Sequence, residues 1–149
     1  MNLRPGIDTD SGAIQGLLQD CHLPVSDLEG ATVDFIVAMQ GETLVGVVGL
    51  ERFELTGLLR SLAVRKNLRG CGLGEKLVSA MEAHAVDSGI SQLVLLTETA
   101  APFFNRRHYT AIERAHAPFA VQQSAEFRSL CPASATCMIK PLVQHPTQP

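Results

Sequence analysis

The sequence predicts an α/β domain, α+β in some schemes, built on a mixed sheet. Three observations carry this. First, Leu73, Leu77, Met81 and Ala85 recur every four residues, and strand-like runs at 58–64 and 90–97 flank them, which makes a βαβ unit. Second, apolar segments at 34–39 and 43–50 are joined by Gln40-Gly41-Glu42, the signature of an antiparallel hairpin. Third, the 149 residues are 46% hydrophobic and 18% charged, enough apolar surface for one core.

The elements follow in order. Residues 3–5 read as a short first strand. Asp8, Thr9, Asp10 and Ser11 offer N-cap side chains for a helix to about residue 21, with Ile14, Leu17 and Leu18 on one face. Residues 24–30 hold at most a short second helix. The hairpin at 34–50 and the branched-residue strand at 58–64 come next. The helix from Leu73 stops at Gly89, a C-terminal signal. The largely apolar run at 90–97 reads as a buried strand. Residues 100–107 look helical and 109–114 strand-like. Residues 117–130 suit one or two short helices, and 136–140 a last strand. One domain is expected over 1–142, with 143–149, polar and Pro-rich, as a loose tail.

Composition excludes several classes. A mean hydropathy of +0.14 is too apolar for a disordered chain. The longest apolar runs, 44–50 and 90–96, fall far short of a membrane span of roughly 20 residues. Met1-Asn2-Leu3-Arg4-Pro5 lacks the basic-then-apolar layout of a signal peptide, so the expected compartment is the cytoplasm. Charge is uneven: residues 1–57 carry nine acids and two bases, 58–76 five bases and one acid, and the rest balances at five and five. A net charge of −3 disfavours nucleic acid, while the basic island suits a small anion such as a pyrophosphate. Cys21, Cys71, Cys131 and Cys137 form no C-x-x-C pair and stand apart from clustered His, so no metal site is expected. Each reads as a small buried hydrophobe.

The chemistry concentrates in Arg69-Gly70-Cys71-Gly72-Leu73-Gly74, between the strand at 58–64 and the helix from Leu73. Glycines let backbone N–H groups approach an anion, and the helix start adds partial positive charge. The loop is neither a Walker A sequence nor a dinucleotide fingerprint, since Gly-Lys-Ser/Thr is absent and one residue, not two, precedes Gly74.

The run Leu58-Leu59-Arg60-Ser61-Leu62-Ala63-Val64, then Arg69-Gly70-Cys71-Gly72-Leu73-Gly74, closely resembles the acetyl-CoA motif of the GNAT N-acetyltransferases. That pattern is a strand ending Leu-x-Val, a short loop, and Arg/Gln-x-x-Gly-x-Gly/Ala at a helix start. A second family block, Asn-x-x-Ala-x-x-x-Tyr-x-x-x-Gly-Phe, is matched in spacing by residues 97–109. There Thr97 replaces Asn, Phe104 replaces Tyr, His108 replaces Gly and Tyr109 replaces Phe. The element order matches over residues 2–142. More narrowly, the length, Phe103-Phe104 and the segment from Glu126-Phe127 to Leu130-Cys131-Pro132-Ala133-Ser134-Ala135 resemble small GNAT proteins of arsenic-resistance gene clusters.

The resemblance implies a mixed, mostly antiparallel sheet of six to seven strands, splayed in the middle and flanked by about four helices. It implies acetyl-CoA as co-substrate, with pantetheine along Leu62, Ala63 and Val64. The pyrophosphate is expected on the N–H groups of Gly70, Cys71, Gly72, Leu73 and Gly74, with Arg69 either on the phosphates or bracing the loop. Val64 or its neighbour would polarise the thioester carbonyl. Phe104 is counted among the cofactor contacts, although it removes the Tyr that many members use as an acid. Tyr109, the lone tyrosine, reads as a core aromatic. Base candidates are Glu51, Glu54, Glu98 and His108, with Glu51 favoured. Strict alternation puts Arg60 on the face of Leu62 and Val64. There it is expected either to bind an anionic acceptor or to form a salt bridge within the sheet. The expected acceptor is a small amine, acidic or organoarsenical, acetylated by direct transfer. Cys131 and Cys137 have the soft thiols arsenic favours, without a visible third. A sensor that binds acetyl-CoA, or a protein-lysine or N-terminal acetyltransferase, are the alternative functions. A homodimer is expected, through exposed edges at 109–114 or 136–140.

Overall fold

The computed structural model describes residues 1–28 and 32–142, and for Ser129 the backbone alone. Seven strands form a mixed sheet: β1 (Asn2–Pro5), β2 (Val33–Gln40), β3 (Thr43–Phe53), β4 (Thr56–Val64), β5 (Gln92–Thr97), β6 (Thr110–Ile112) and β7 (Thr136–Pro141). Their order is β1-β2-β3-β4-β5-β7-β6. The β1–β2, β2–β3, β5–β7 and β6–β7 pairs are antiparallel, and β4–β5 is parallel. Four α-helices accompany it among the described residues: α1 (Ser11–Asp20), α2 (Leu73–Asp87), α3 (Ala101–Asn105) and α4 (Phe119–Gln122). None is long and apolar enough to cross a membrane. This is the mostly antiparallel mixed sheet the sequence predicts.

The chain forms two compact units, one of Met1–Glu51 with Leu59–Ala83, the other of Arg52–Leu58 with the chain from His84 on. In the first unit α1 buries Ile14, Leu17 and Leu18 against Val37, Leu44, Val47 and Ala63. Each such side chain contributes about 1.5–3 kcal/mol through burial. Asp10 does not cap α1 as expected. Its carboxylate accepts from the Ile7 N–H at 2.8 Å and takes Arg4 in a two-pronged pair at 2.8 and 2.9 Å. That pair and hydrogen bond hold Asp10 down at about 2. Gly46 lets α2 lie close on β3, since a Cβ there would stand 3.0 Å from Leu77 Cδ1 and 3.3 Å from Leu73 Cδ2. Residues 26–28 form a turn rather than a helix, and 29–31 lie outside the described residues.

In the second unit Leu58, Val94, Ala117, Val121 and Cys137 form the core, with Phe53, Leu96, Ile112, Phe127 and Ile139 packed on it. The β4–β5 ladder pairs Thr56–Leu58 with Gln92–Val94. The strand expected at 136–140 is not an edge: β7 lies between β5 and β6, leaving β6 terminal. The segment expected as one or two short helices resolves into α4 and a π-type turn at Glu126–Leu130. The predicted tail, 143–149, lies outside the described residues.

Candidate functional site

β4 leads into the glycine loop. Past Val64, the Arg65 N–H donates to the Val45 carbonyl at 2.9 Å, fixing the strand's end to β3. A 3₁₀ turn at Lys66–Leu68 follows, then Arg69 in extended conformation. Gly70 and Gly72 both adopt φ +85°, a left-handed backbone that a side chain would strain. The Gly72 carbonyl accepts from the Lys76 N–H at 3.1 Å, so α2 begins here. The first N–H groups of a 15-residue helix have no partner within the helix and point out of its end. Residues 69–72 are exposed, whereas Leu73 is buried. Left-handed glycines ahead of a positive helix end have the local chemistry of an anion site.

Arg69 braces this loop. Its Nε donates to the Val64 carbonyl at 3.1 Å and its Nη2 lies 3.3 Å from Cys21 Sγ. Cys71 is exposed at the loop rather than buried, and its thiol donates to the Leu68 carbonyl at 2.7 Å. Leu62 and Val64 are half-buried, while Ala63 packs with α1.

Upstream on β4, Ser61 has φ +58°. A non-glycine residue in the left-handed region costs roughly 1–2 kcal/mol and interrupts the two-residue alternation of a strand. Arg60 is the residue just before this irregularity of β4. It reaches Asp27, the neighbour of Leu28, which packs on the cluster holding Ala63. The Arg60 side chain is 0% exposed. Its Nη1 and Nη2 grip the two oxygens of Asp27 at 2.6 and 2.8 Å, and Nη1 also donates to Glu51 Oε1 at 3.0 Å. Nε donates to the Ser61 hydroxyl at 3.2 Å. The hydrogen bonds from Arg60 hold the Asp27 carboxyl below the usual carboxylate range. Asp27 and Glu51 keep 14% and 13% of their side chains exposed, so the reachable rim of the cluster is carboxylate. A salt bridge to a third-strand Glu is thus present at Arg60, and an anionic acceptor is not needed to satisfy it.

The second family block falls in the other unit. Phe104 is buried, edge-on to Phe103 and Tyr109 at centroid distances of 5.0 and 5.3 Å. Tyr109 is buried as expected of a core aromatic. The Thr97 hydroxyl accepts from the Ala100 N–H at 3.0 Å, closing the turn into α3. His108 has φ +72°, the backbone a glycine adopts freely. His108, Glu98 and Glu54 are exposed. Cys137 is buried, and burial pushes its thiol up to about 11. Cys131 Sγ lies 3.7 Å from Glu126 Oε1. Among the described residues no three His, Cys, Asp or Glu stand together as a metal set.

Sequence reasoning missed Asp27. It lies 33 residues before Arg60, in a turn with no periodicity to mark its direction. The signal available was the demand of Arg60 itself, a cation inside an apolar strand.

Comparison with known proteins agrees with this geometry. The chain is 29% identical to an uncharacterized N-acetyltransferase of Chlorobaculum tepidum over 105 residues, 70% of this chain. It is 30% identical to the uncharacterized N-acetyltransferase YjcF of Bacillus subtilis over 89 residues, 59% of this chain. The match spans 65% and 63% of the lengths of those relatives. The fold is shared with Rv2747 from Mycobacterium tuberculosis, solved in complex with CoA. The TM-score is 0.80 at 22% identity, over 96% of this chain and 100% of that one. Residues 31–111 match the acetyltransferase (GNAT) domain. With that match over more than half its length, and with the glycine loop at the head of α2, the chain belongs to the GNAT acetyltransferase family.

Proposed function

We propose that the protein is an acetyl-CoA-dependent N-acetyltransferase that transfers acetyl directly to the primary amine of a small molecule. The observation that carries this is the loop after β4, where two left-handed glycines and the start of α2 present backbone donors to an anion. In this reading the pyrophosphate rests on the N–H groups of Gly70, Cys71, Gly72, Leu73 and Gly74. The pantetheine amides pair with the backbone of β4 at Leu62, Ala63 and Val64. Arg69 acts as the loop's brace, consistent with its bond to the Val64 carbonyl. The Val64 N–H, or its neighbour's, stabilises the negative charge that grows on the thioester oxygen.

Glu51 removes a proton from the acceptor's ammonium. The freed amine attacks the thioester carbonyl, the C–S bond breaks, and CoA leaves as a thiolate that takes up a proton from water or from the substrate nitrogen. Phe104 has no proton to give, so it is read as apolar packing rather than as the acid. Small amino compounds are the acceptors to test first, organoarsenical ones included because of the narrower resemblance. The protein is assigned to the cytoplasm, where its free thiols stay reduced. A homodimer would pair through the terminal strand β6.

Release of free CoA thiol, followed with acetyl-CoA and a panel of amines, tests the reading. Amine-dependent release is expected. The missing acid at Phe104 favours one alternative, a domain that binds acetyl-CoA as a sensor. Tight CoA binding with no release for any amine would establish that alternative instead.

A further inference from the structure

We propose that Asp27 is a positioning residue for the transfer: its two-pronged grip on Arg60 fixes that guanidinium and, through it, the direction of Glu51. This rests on the reading of Glu51 as the base. The three side chains belong to one compact unit. Asp27 takes both terminal nitrogens of Arg60, at 2.6 and 2.8 Å, whereas Glu51 receives one hydrogen bond from Nη1, at 3.0 Å. A planar guanidinium gripped by two parallel bonds cannot turn about its stem, so its third contact has a fixed direction. Glu51 Oε1 is tied to that direction.

The sharing of Arg60 matters as much as its direction. Asp27 and Glu51 both bond its guanidinium, and both keep part of their side chains exposed. Without the Asp27 carboxylate, the fork of Arg60 swings wholly onto Glu51. Both Glu51 oxygens are then held by the fork, and neither is left to meet the acceptor's ammonium. Asp27 therefore competes with Glu51 for Arg60, and that competition keeps the base available.

The test is a double-mutant cycle on the full chain, read in kcat and in KM for acetyl-CoA. Glu51→Gln is expected to lower kcat by about 100-fold or more, the scale of a general base. Asp27→Asn, which keeps the shape and loses the charge, is expected to lower kcat about tenfold with KM for acetyl-CoA unchanged. Asp27→Glu is expected to restore part of that loss. In the Glu51→Gln background, Asp27→Asn is expected to cost nothing further, since it acts through Glu51. Should Asp27→Asn fail to fold, Arg60→Lys serves the same cycle, keeping the charge and losing the fork. If Glu51→Gln leaves kcat intact, the base assignment fails and this proposal with it. If Glu51→Gln is impaired but Asp27→Asn is as active as the wild type, or its loss is undiminished in the double mutant, Asp27 is structural and this proposal alone is overturned.

Discussion

The glycine loop starts nine residues after Arg60, and the loop and the Arg60 cluster solve opposite problems. At Gly70 and Gly72 a Cβ would meet nothing within 4 Å, and the backbone of both is left-handed. The loop is exposed, with open space around its glycines. At Arg60 the reverse holds. The guanidinium is fully buried, and carboxylates from two separate segments close on it. In the proposed reading a cofactor's pyrophosphate is met by backbone. The fold's own buried guanidinium is met by side chains.

Breaking the cluster has the larger expected effect on stability. Arg60→Ala leaves Asp27 and Glu51 without their shared cation, a loss of about 3–5 kcal/mol for a broken buried pair. Chemical denaturation is the measurement. A midpoint equal to that of the wild type would mean that the cluster is solvated in solution. Disturbing the loop from beneath comes next. Gly46→Val drives a side chain into Leu73 and Leu77, which stand 3.3 and 3.0 Å from the new Cβ. Overpacking of this kind costs about 1–3 kcal/mol. Because Leu73 opens α2, CoA affinity is expected to fall together with stability in Gly46→Val. Unchanged affinity in a destabilised protein would uncouple the loop from β3.

Acid separates the two regions more gently. The Asp27 carboxyl titrates below its ordinary value because Arg60 bonds the ionised form. A depressed carboxylate stabilises the fold above its unfolded pKa, near 3.9, and that contribution disappears as pH falls through the folded value. The wild type is therefore expected to lose stability more steeply than Asp27→Asn below about pH 4. Asp10, at about 2, contributes a similar slope in both proteins and cancels in the comparison. Parallel slopes for the two proteins would remove Asp27 from the acid response.

The two regions also differ in how far the sequence discloses them. The loop is written in consecutive residues, and its geometry follows from what glycine permits at a helix start. The same holds for α1, α2 and the hairpin, whose periodicities mark their faces, though strand ends move by one to three residues. The cluster is assembled from residues 27, 51 and 60, and no local pattern joins them. Ser61 hides a further step. A serine carries no advance notice of φ +58° within a strand. Asp10 shows the same limit on a smaller scale. Its type suits a helix cap, but Arg4 on a neighbouring strand offers a stronger, doubly bonded partner, and the ion pair wins. Cys71 departs from the burial habit of cysteine because it lies on an exposed loop.

The central claim is that the backbone of residues 69–74 holds the CoA pyrophosphate. Calorimetric titration of CoA into the wild type and into Gly72→Asp tests it most directly, with a thermal melt of each to show that both are folded. At Gly72 an aspartate adds a strained left-handed residue and a negative charge beside the phosphates. The account predicts at least a 100-fold loss of affinity, about 2.7 kcal/mol, in a protein that still melts cooperatively. Equal affinity in a folded Gly72→Asp protein would contradict it.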